Sequence, residues 1–293
     1  MRITNSVLVN NLKNNLSRNI RLLGKIQLQL ETGRRISKPS IDPTGIVESL
    51  RLTTRLKENA QYRDNVADAL GWLNTTDDAL GALNSVIQRI YELTVQGANG
   101  PLDVEERNSI CEEVKQLKDE MGEIANTTHG DRYIFGGTNT TEKPYSAYSD
   151  GTWQHNSKSI RYEVGIGVEI PINLTAEEVF VEAELMPLLD QVITDLENDD
   201  YAALSSERIG ELQTAIEHVL ACRAKVGASV NRLEMTKARL EEQEINFEKL
   251  LADVDGVDPA WVIMQLKEQE SVYRASLAVG ARVIMPTLVD FIR

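Results

Sequence analysis

Between Ile209 and Val254 every seventh residue from Leu212 is apolar: Leu212, Val219, Val226, Leu233, Leu240, Phe247 and Val254. A companion row three residues earlier runs Ile209, Ile216, Arg223, Val230, Lys237, Glu244 and Leu251, and no proline interrupts either row. This repeat predicts a helix that packs along a partner helix, knobs into holes. At 1.5 Å per residue it runs roughly 70 Å, longer than a small domain is wide. Such a length suits a building element better than an enzyme.

A second rod begins at Asp42-Pro43, where Asp can cap and Pro fits the first helical position. Its apolar row includes Leu52, Leu56, Val66, Leu70, Leu73, Leu80 and Ile87, and it stops near Gly97-Ala98-Asn99-Gly100-Pro101. Asn59, Arg63, Asp77 and Asn84 fall on this seam. The favoured reading is imperfect patterning at partly exposed positions; the sharper one is that polar seam residues fix register. A third helix follows from Asp103, with Ile110, Val114, Leu117, Met121 and Ile124 on one face and an end near Thr128-His129-Gly130.

From Tyr133 to about Leu174 the helical period stops. Ser159–Val164 and Val168–Ile172 alternate polar and apolar, and Gly165-Ile166-Gly167 can turn the chain between them. This predicts a small antiparallel unit. Thr175 and Glu178 then offer a capping box. Leu185, Leu188, Leu189, Val192 and Leu196 give a short helix, and Asn198-Asp199-Asp200 a break before the long rod.

The two ends resemble each other in pattern. One seam runs through Val9, Leu12, Leu16, Leu23, Ile26 and Leu30, with Asn19 as its polar exception. The other runs through Ile263, Leu266, Tyr273, Leu277 and Ile284, with Glu270 and Gly280 as exceptions. Breaks from Gly33 to Asp42 and from Asp255 to Pro259 separate each end from its rod. The terminal helices are expected to pair with each other or with copies from neighbours, and to order on assembly, because alone they lack a broad core. The fold class is therefore mainly α: an elongated, coiled-coil-like helical hairpin with paired terminal helices and a small antiparallel β insertion.

Charge and composition narrow the function. The net charge is −14 over 293 residues, but residues 1–60 carry about +7 and the remainder about −21. The basic residues near the start are interleaved with apolar ones at helical spacing, as on a solvated helix face. The acidic bulk argues against DNA or RNA as a partner. No apolar stretch approaches the ~20 residues needed to span a membrane. Met1-Arg2-Ile3-Thr4-Asn5-Ser6 does not open a cleavable secretory signal, so the chain is expected to be cytosolic or to leave by a route needing none.

Catalytic chemistry has no visible seat. His129, His155 and His218 are scattered, Cys111 and Cys222 sit in helical patterns without CxxC spacing, and Gly136-Gly137 lacks a following Lys-Ser/Thr. The carboxylates between Glu177 and Glu211 fit a solvated face. No catalytic residue, metal or cofactor is expected, and the chain is not expected to be an enzyme.

Four segments carry a resemblance. Gln29–Gly45, with Arg35, Ile36, Pro39, Asp42, Pro43 and Gly45, is similar to the signature loop that joins terminal helix to body in the bacterial flagellin family. Gln88–Gly100 and Ala224–Glu234 resemble that family's second and third signatures, and Thr287–Arg293 a terminus found among its members that join hook to filament. Asp42-Pro43 and the Tyr133–Thr138 run point to those members over the filament subunit; Ile41 stands where an acidic residue is expected.

The resemblance implies a structural axial protein of the flagellum that forms a layer between hook and filament by assembly-coupled folding. It implies five regions: residues 1–41 and 258–293 as helices of an inner coiled coil, 42–132 and 178–257 as the two halves of a helical body, and 133–177 as a β-rich outer tip. Leu12, Leu16, Leu23, Leu30, Leu266, Tyr273, Leu277 and Ile284 are the expected assembly interface. The implied partners are copies of the chain in a tubular layer, a hook-associated protein on the hook side, flagellin on the filament side and a cytosolic export chaperone. The implied location is extracellular, reached through flagellar type III export without a cleaved signal. Two alternatives stand beside it: the filament subunit itself, and a cytosolic helical adaptor rod.

Overall fold

The structure, a computed structural model, describes residues 5–99, 103–146, 153, 156–198 and 200–284. The Thr287–Arg293 segment lies outside the described residues. The chain divides into two compact units: a terminal unit of Met1–Glu58 with Gln243–Arg293, and a body unit of Asn59–Glu242.

Helices dominate. α1 spans Asn5–Thr32, α2 Pro43–Ala98 and α3 Val104–Ala125. Two short antiparallel hairpins follow: β1 (Thr128–His129) with β2 (Arg132–Tyr133), and β3 (Arg161–Gly165) with β4 (Val168–Pro171). Then come α4 (Leu185–Glu197), a short α5 (Tyr201–Ala203), α6 (Ile209–Asp255) and α7 (Pro259–Ile284). Widened π-type turns occupy Glu177–Val181 and Leu204–Arg208. The first hairpin begins at Thr128, earlier than the helical stop alone suggests, and Gly130 turns it at φ +62°.

The core lies in the body unit. Leu80, Leu83, Ile87 and Ile90 of α2, Val114 and Met121 of α3, and Leu212, Val219 and Val226 of α6 are almost wholly buried. Isolated two-stranded hairpins with strands of two to five residues cannot support themselves in water. The β segments instead rest on this core through Val164, Ile170 and Ile172. Asn65 of α2 also donates to the Glu163 carbonyl of β3 at 2.8 Å. Phe135 packs edge-on to Phe180, and Trp153 stacks on Phe180 at 5.2 Å between ring centres. Gly136-Gly137 is a structural turn. Gly137 sits at φ +66°, and a Cβ there would strike the backbone carbonyl of Asn156.

Thr175 caps the turn before α4, accepting from the Glu178 amide at 3.4 Å. Asn59, read as a partly exposed seam position, is 3 % exposed. Asp77, another polar exception, pairs with Arg223 of α6. Arg63, Asp77 and Asn84 are partly exposed, as read, so Asn59 is the one seam position that departs from that reading.

Candidate assembly surface and loop clamp

In the terminal unit α1 and α7 pair antiparallel. On α1 the half-buried face is Val9, Leu12, Leu16, Asn19, Leu23 and Ile26, stepping by three and four residues. On α7 the matching face is Val262 and Gly280, both buried, with Leu266, Gln269, Tyr273 and Ser276 half-buried between them. Leu12 lies against Gly280, where a Cβ would come within 2.8 Å of a Leu12 methyl. Gly at this position lets the two backbones approach. A polar layer sits farther along: Asn19 Nδ2 donates to Ser276 Oγ at 3.2 Å, and Gln269 Nε2 to Asn19 Oδ1 at 3.4 Å. Such a layer inside an apolar seam fixes register at some loss of stability.

The sequence-predicted residues divide on this geometry. Leu12, Leu16, Leu23, Leu266 and Tyr273 lie on the shared face. Leu30 and Leu277 do not: they are 37 % and 45 % exposed. On α1, Gln29 takes the inward place at the seam's end and donates to the Arg35 carbonyl. On α7 the row through Leu266, Tyr273 and Gly280 is as read in the sequence, but Val262, Gln269 and Ser276 flank it where Ile263 and Leu277 were expected, and those two are exposed. The side chain of Ile284 lies outside the described residues.

The terminal unit buries little. Among the described residues its fully buried hydrophobics are Ile36, Leu52 and Val262. Yet seventeen of the twenty-three exposed large hydrophobics among the described residues belong to it. Val7, Ile20 and Leu22 of α1 and Trp261, Met264 and Val279 of α7 are among them, 42–60 % exposed. Monomeric proteins rarely leave so much apolar surface in contact with water, and such surfaces mark interaction sites.

A second construction holds the loop between α1 and α2. Arg34 bridges to Gly256 in a two-residue antiparallel pairing, and the Arg35 amide donates to the Asp255 carbonyl at 2.6 Å. The Asp255 carboxylate is the hub, at 1 % exposure. Its Oδ1 accepts from the Ile36 amide at 2.8 Å and its Oδ2 from the Ser49 hydroxyl at 3.0 Å. Arg34 Nε approaches Oδ2 at 3.8 Å, but it is half exposed and adds little. A buried carboxylate is tolerable only with partners of this kind.

Asp42 works at the same loop. Its Oδ1 accepts from the Gly45 amide at 2.9 Å, capping α2, and its Oδ2 accepts from Arg35 at 3.2 Å. The Gly45 amide and the Arg35 guanidinium together hold the Asp42 carboxyl below its ordinary range. Pro43 opens the helix, where its missing N–H costs nothing. Gly45 has no room for a side chain: a Cβ would lie 2.6 Å from Ile36 Cδ1. Ile36 is buried, whereas Arg35 and Pro39 face solvent. Asp255 and Ser49 went unrecognised in the sequence. Asp255 looked like part of a helix break, and its partners lie 206 and 219 residues away.

Two family models match the chain. The bacterial flagellin N-terminal helical region covers residues 3–140 and the C-terminal helical region residues 209–289, together about three quarters of the sequence. The chain belongs to the bacterial flagellin family.

Among its relatives, flagellar hook-associated protein 3 of Escherichia coli is 25% identical over 273 residues, which cover 85% of this chain and 86% of that one. A flagellin of Bacillus subtilis is 26% identical over 298 residues, covering 96% of each. The crystal structure of FlgL from Bacillus cereus superposes with a TM-score of 0.61 at 25% identity, covering 69% of this chain and 99% of that one. The family is one of structural flagellar proteins, mainly α in fold, and the clamp lies within both matched regions of this flagellin-family chain.

The remaining polar groups have local roles. His218 Nε2 lies 2.7 Å from the Glu178 carbonyl, and His129 Nδ1 lies 2.8 Å from Thr75 Oγ1. Cys111 and Cys222 are free and buried, and burial pushes both thiols up, away from the reactive thiolate. Among the described residues no group of three His, Cys, Asp or Glu could hold a metal ion, and no helix is long and apolar enough to cross a membrane.

Proposed function

We infer that this chain is a structural axial component of the bacterial flagellum and forms the junction layer between hook and filament. The observation that carries the reading is the terminal unit's surface. Among the described residues the unit carries seventeen of the twenty-three exposed large hydrophobics and only three buried ones. The likeness to hook-associated protein 3 supports the place of that layer.

Burial against neighbours is the driving force of assembly. Covering one Leu, Ile or Val fully stabilises by about 1.5–3 kcal/mol, so a handful of such residues per subunit offsets the cost of ordering the terminal helices. Leu30 and Leu277 are open to a neighbour as they stand. Leu12, Leu16, Leu23, Leu266 and Tyr273 set the pair's shape, and Ile284 completes the set of interface residues. The partners on this reading are copies of the chain, a hook-associated protein on one side and flagellin on the other. Before export a cytosolic chaperone shields the C-terminal helix, and the chain leaves through the flagellar type III route without losing a signal.

A second reading, the filament subunit itself, draws on the likeness to the Bacillus subtilis flagellin along nearly the whole chain. Gene deletion separates the two. Hooks without filaments, with flagellin lost into the medium, is the expected result. Loss of filaments with no flagellin outside would replace the junction by the filament subunit. Normal filaments would remove both readings.

A further inference from the structure

Two solvent-facing rows on the body unit carry charge at the same step. On α6, Lys225, Arg232 and Arg239 recur every seven residues with Ala228 and Met235 between them, and all five are exposed. Ala228, Arg232, Met235 and Arg239 line a shallow groove with Asn231 and Thr236. Met235, at 75 %, is the most exposed large hydrophobic among the described residues. None of the three cations makes an ion pair among the described residues.

On α3, Glu105, Glu112 and Asp119 recur at the same seven-residue step, with Ser109 and Gln116 between them, and all five are exposed. Glu112 holds Lys115 of its own helix at 3.0 Å, whereas Glu105 and Asp119 have no ion-pair partner among the described residues. Each row spans about 21 Å of helix. The two match in length, in step and in number of charges, with opposite sign.

We propose that in the assembled layer the α6 row of one copy receives the α3 row of the next copy. This rests on the assembly reading above and names a contact within it. The two surfaces are different patches of one chain, so the contact is head-to-tail and closes into a ring or continues as a helix. Met235 and Ala228 supply the apolar floor between the charges. One exposed ion pair counts for little. Three in a fixed register select the partner and its axial position, as flanking charges do in coiled coils.

The test uses the full chain in cells, with the amount in purified hook–filament preparations as readout. Reversing the groove (Arg232→Glu with Arg239→Glu) or the ridge (Glu105→Lys with Asp119→Lys) is expected to lower incorporation by about tenfold, and all four changes together to restore it. Wild-type-like incorporation of both reversed forms would overturn the contact and leave the assembly reading intact. Failure of the fourfold variant to recover would also overturn it, giving the rows to another axial protein. Absence of the wild-type chain from the preparations would overturn the assembly reading and this contact with it. A second measurement is independent of charge reversal. Copies carrying Ala228→Cys mixed with copies carrying Ser109→Cys are expected to form a disulfide-linked dimer in the assembled state, since α3 and α6 run in the same direction, and the lack of one would refute the pairing.

Discussion

The carboxylate of Asp77 on α2 accepts two hydrogen bonds from the Arg223 guanidinium on α6, at 2.8 and 3.1 Å. Each residue interrupts the apolar row of its own helix. Together they form a forked pair beside Gly81. The pair holds the two rods at one axial register. The bidentate geometry raises the Arg223 pKa further above its ordinary value, so the guanidinium stays charged throughout the accessible pH range.

Asp77→Asn and Arg223→Ala are each expected to lower the melting temperature slightly, because both side chains are partly exposed and screened. The loss is expected to shrink in molar salt. A double-mutant cycle followed by thermal denaturation isolates the coupling, and additive losses would mean the pair does not act as a unit.

The Asp255 hub predicts a larger effect. Asp255→Ala leaves the Ile36 amide and the Ser49 hydroxyl without acceptors in a buried place, which costs about 1–3 kcal/mol. Asp255→Asn keeps one oxygen and is expected to cost less. Hydrogen exchange at the Ile36 amide reports this directly: it is expected to speed up in Asp255→Ala while the amides of Leu83 and Ile87 stay protected.

The Asp42 cap titrates. Its carboxyl is held below the ordinary value of 3.8 by the Gly45 amide first and Arg35 second. A depressed carboxylate contributes stability that is fully present above its unfolded value and is lost as the pH falls through the folded one. The loop over residues 33–42 is therefore expected to become more open to an acid-stable protease below about pH 3.8. Asp42→Asn is expected to be more open already at neutral pH, with this part of its pH dependence gone.

Asn19 meets Ser276 and Gln269 in an otherwise apolar seam. Asn19→Leu is expected to raise the helix content of the isolated full chain, measured by circular dichroism, while lowering the uniformity of what it assembles into. A variant that gains helix and still assembles into a single species would show that register is set elsewhere.

Much of the fold was legible locally. The seven-residue rows, Asp42-Pro43, and the Gly and Asp breaks are signals carried by neighbouring residues, and helices α1, α2, α3, α6 and α7 follow them closely. The hairpin of β3 and β4 was legible for the same reason: alternation with a Gly-x-Gly turn. The hub was not. Asp255, Ser49 and Ile36 are ordinary residues for their places, and nothing near any of them announces the other two.

The sequence by itself determined where helices start and stop and that the ends carry apolar seams, because capping, turn chemistry and periodicity act within a few residues. Only the tertiary structure decided which face of α7 meets α1. Leu266 and Tyr273 belong to both the expected and the observed face; Ile263 and Leu277 on one side of them and Val262, Gln269 and Ser276 on the other all lie three or four residues away, so spacing alone cannot choose the side. The choice is made by contact, where Gly280 admits Leu12 and where Ser276 and Gln269 satisfy Asn19.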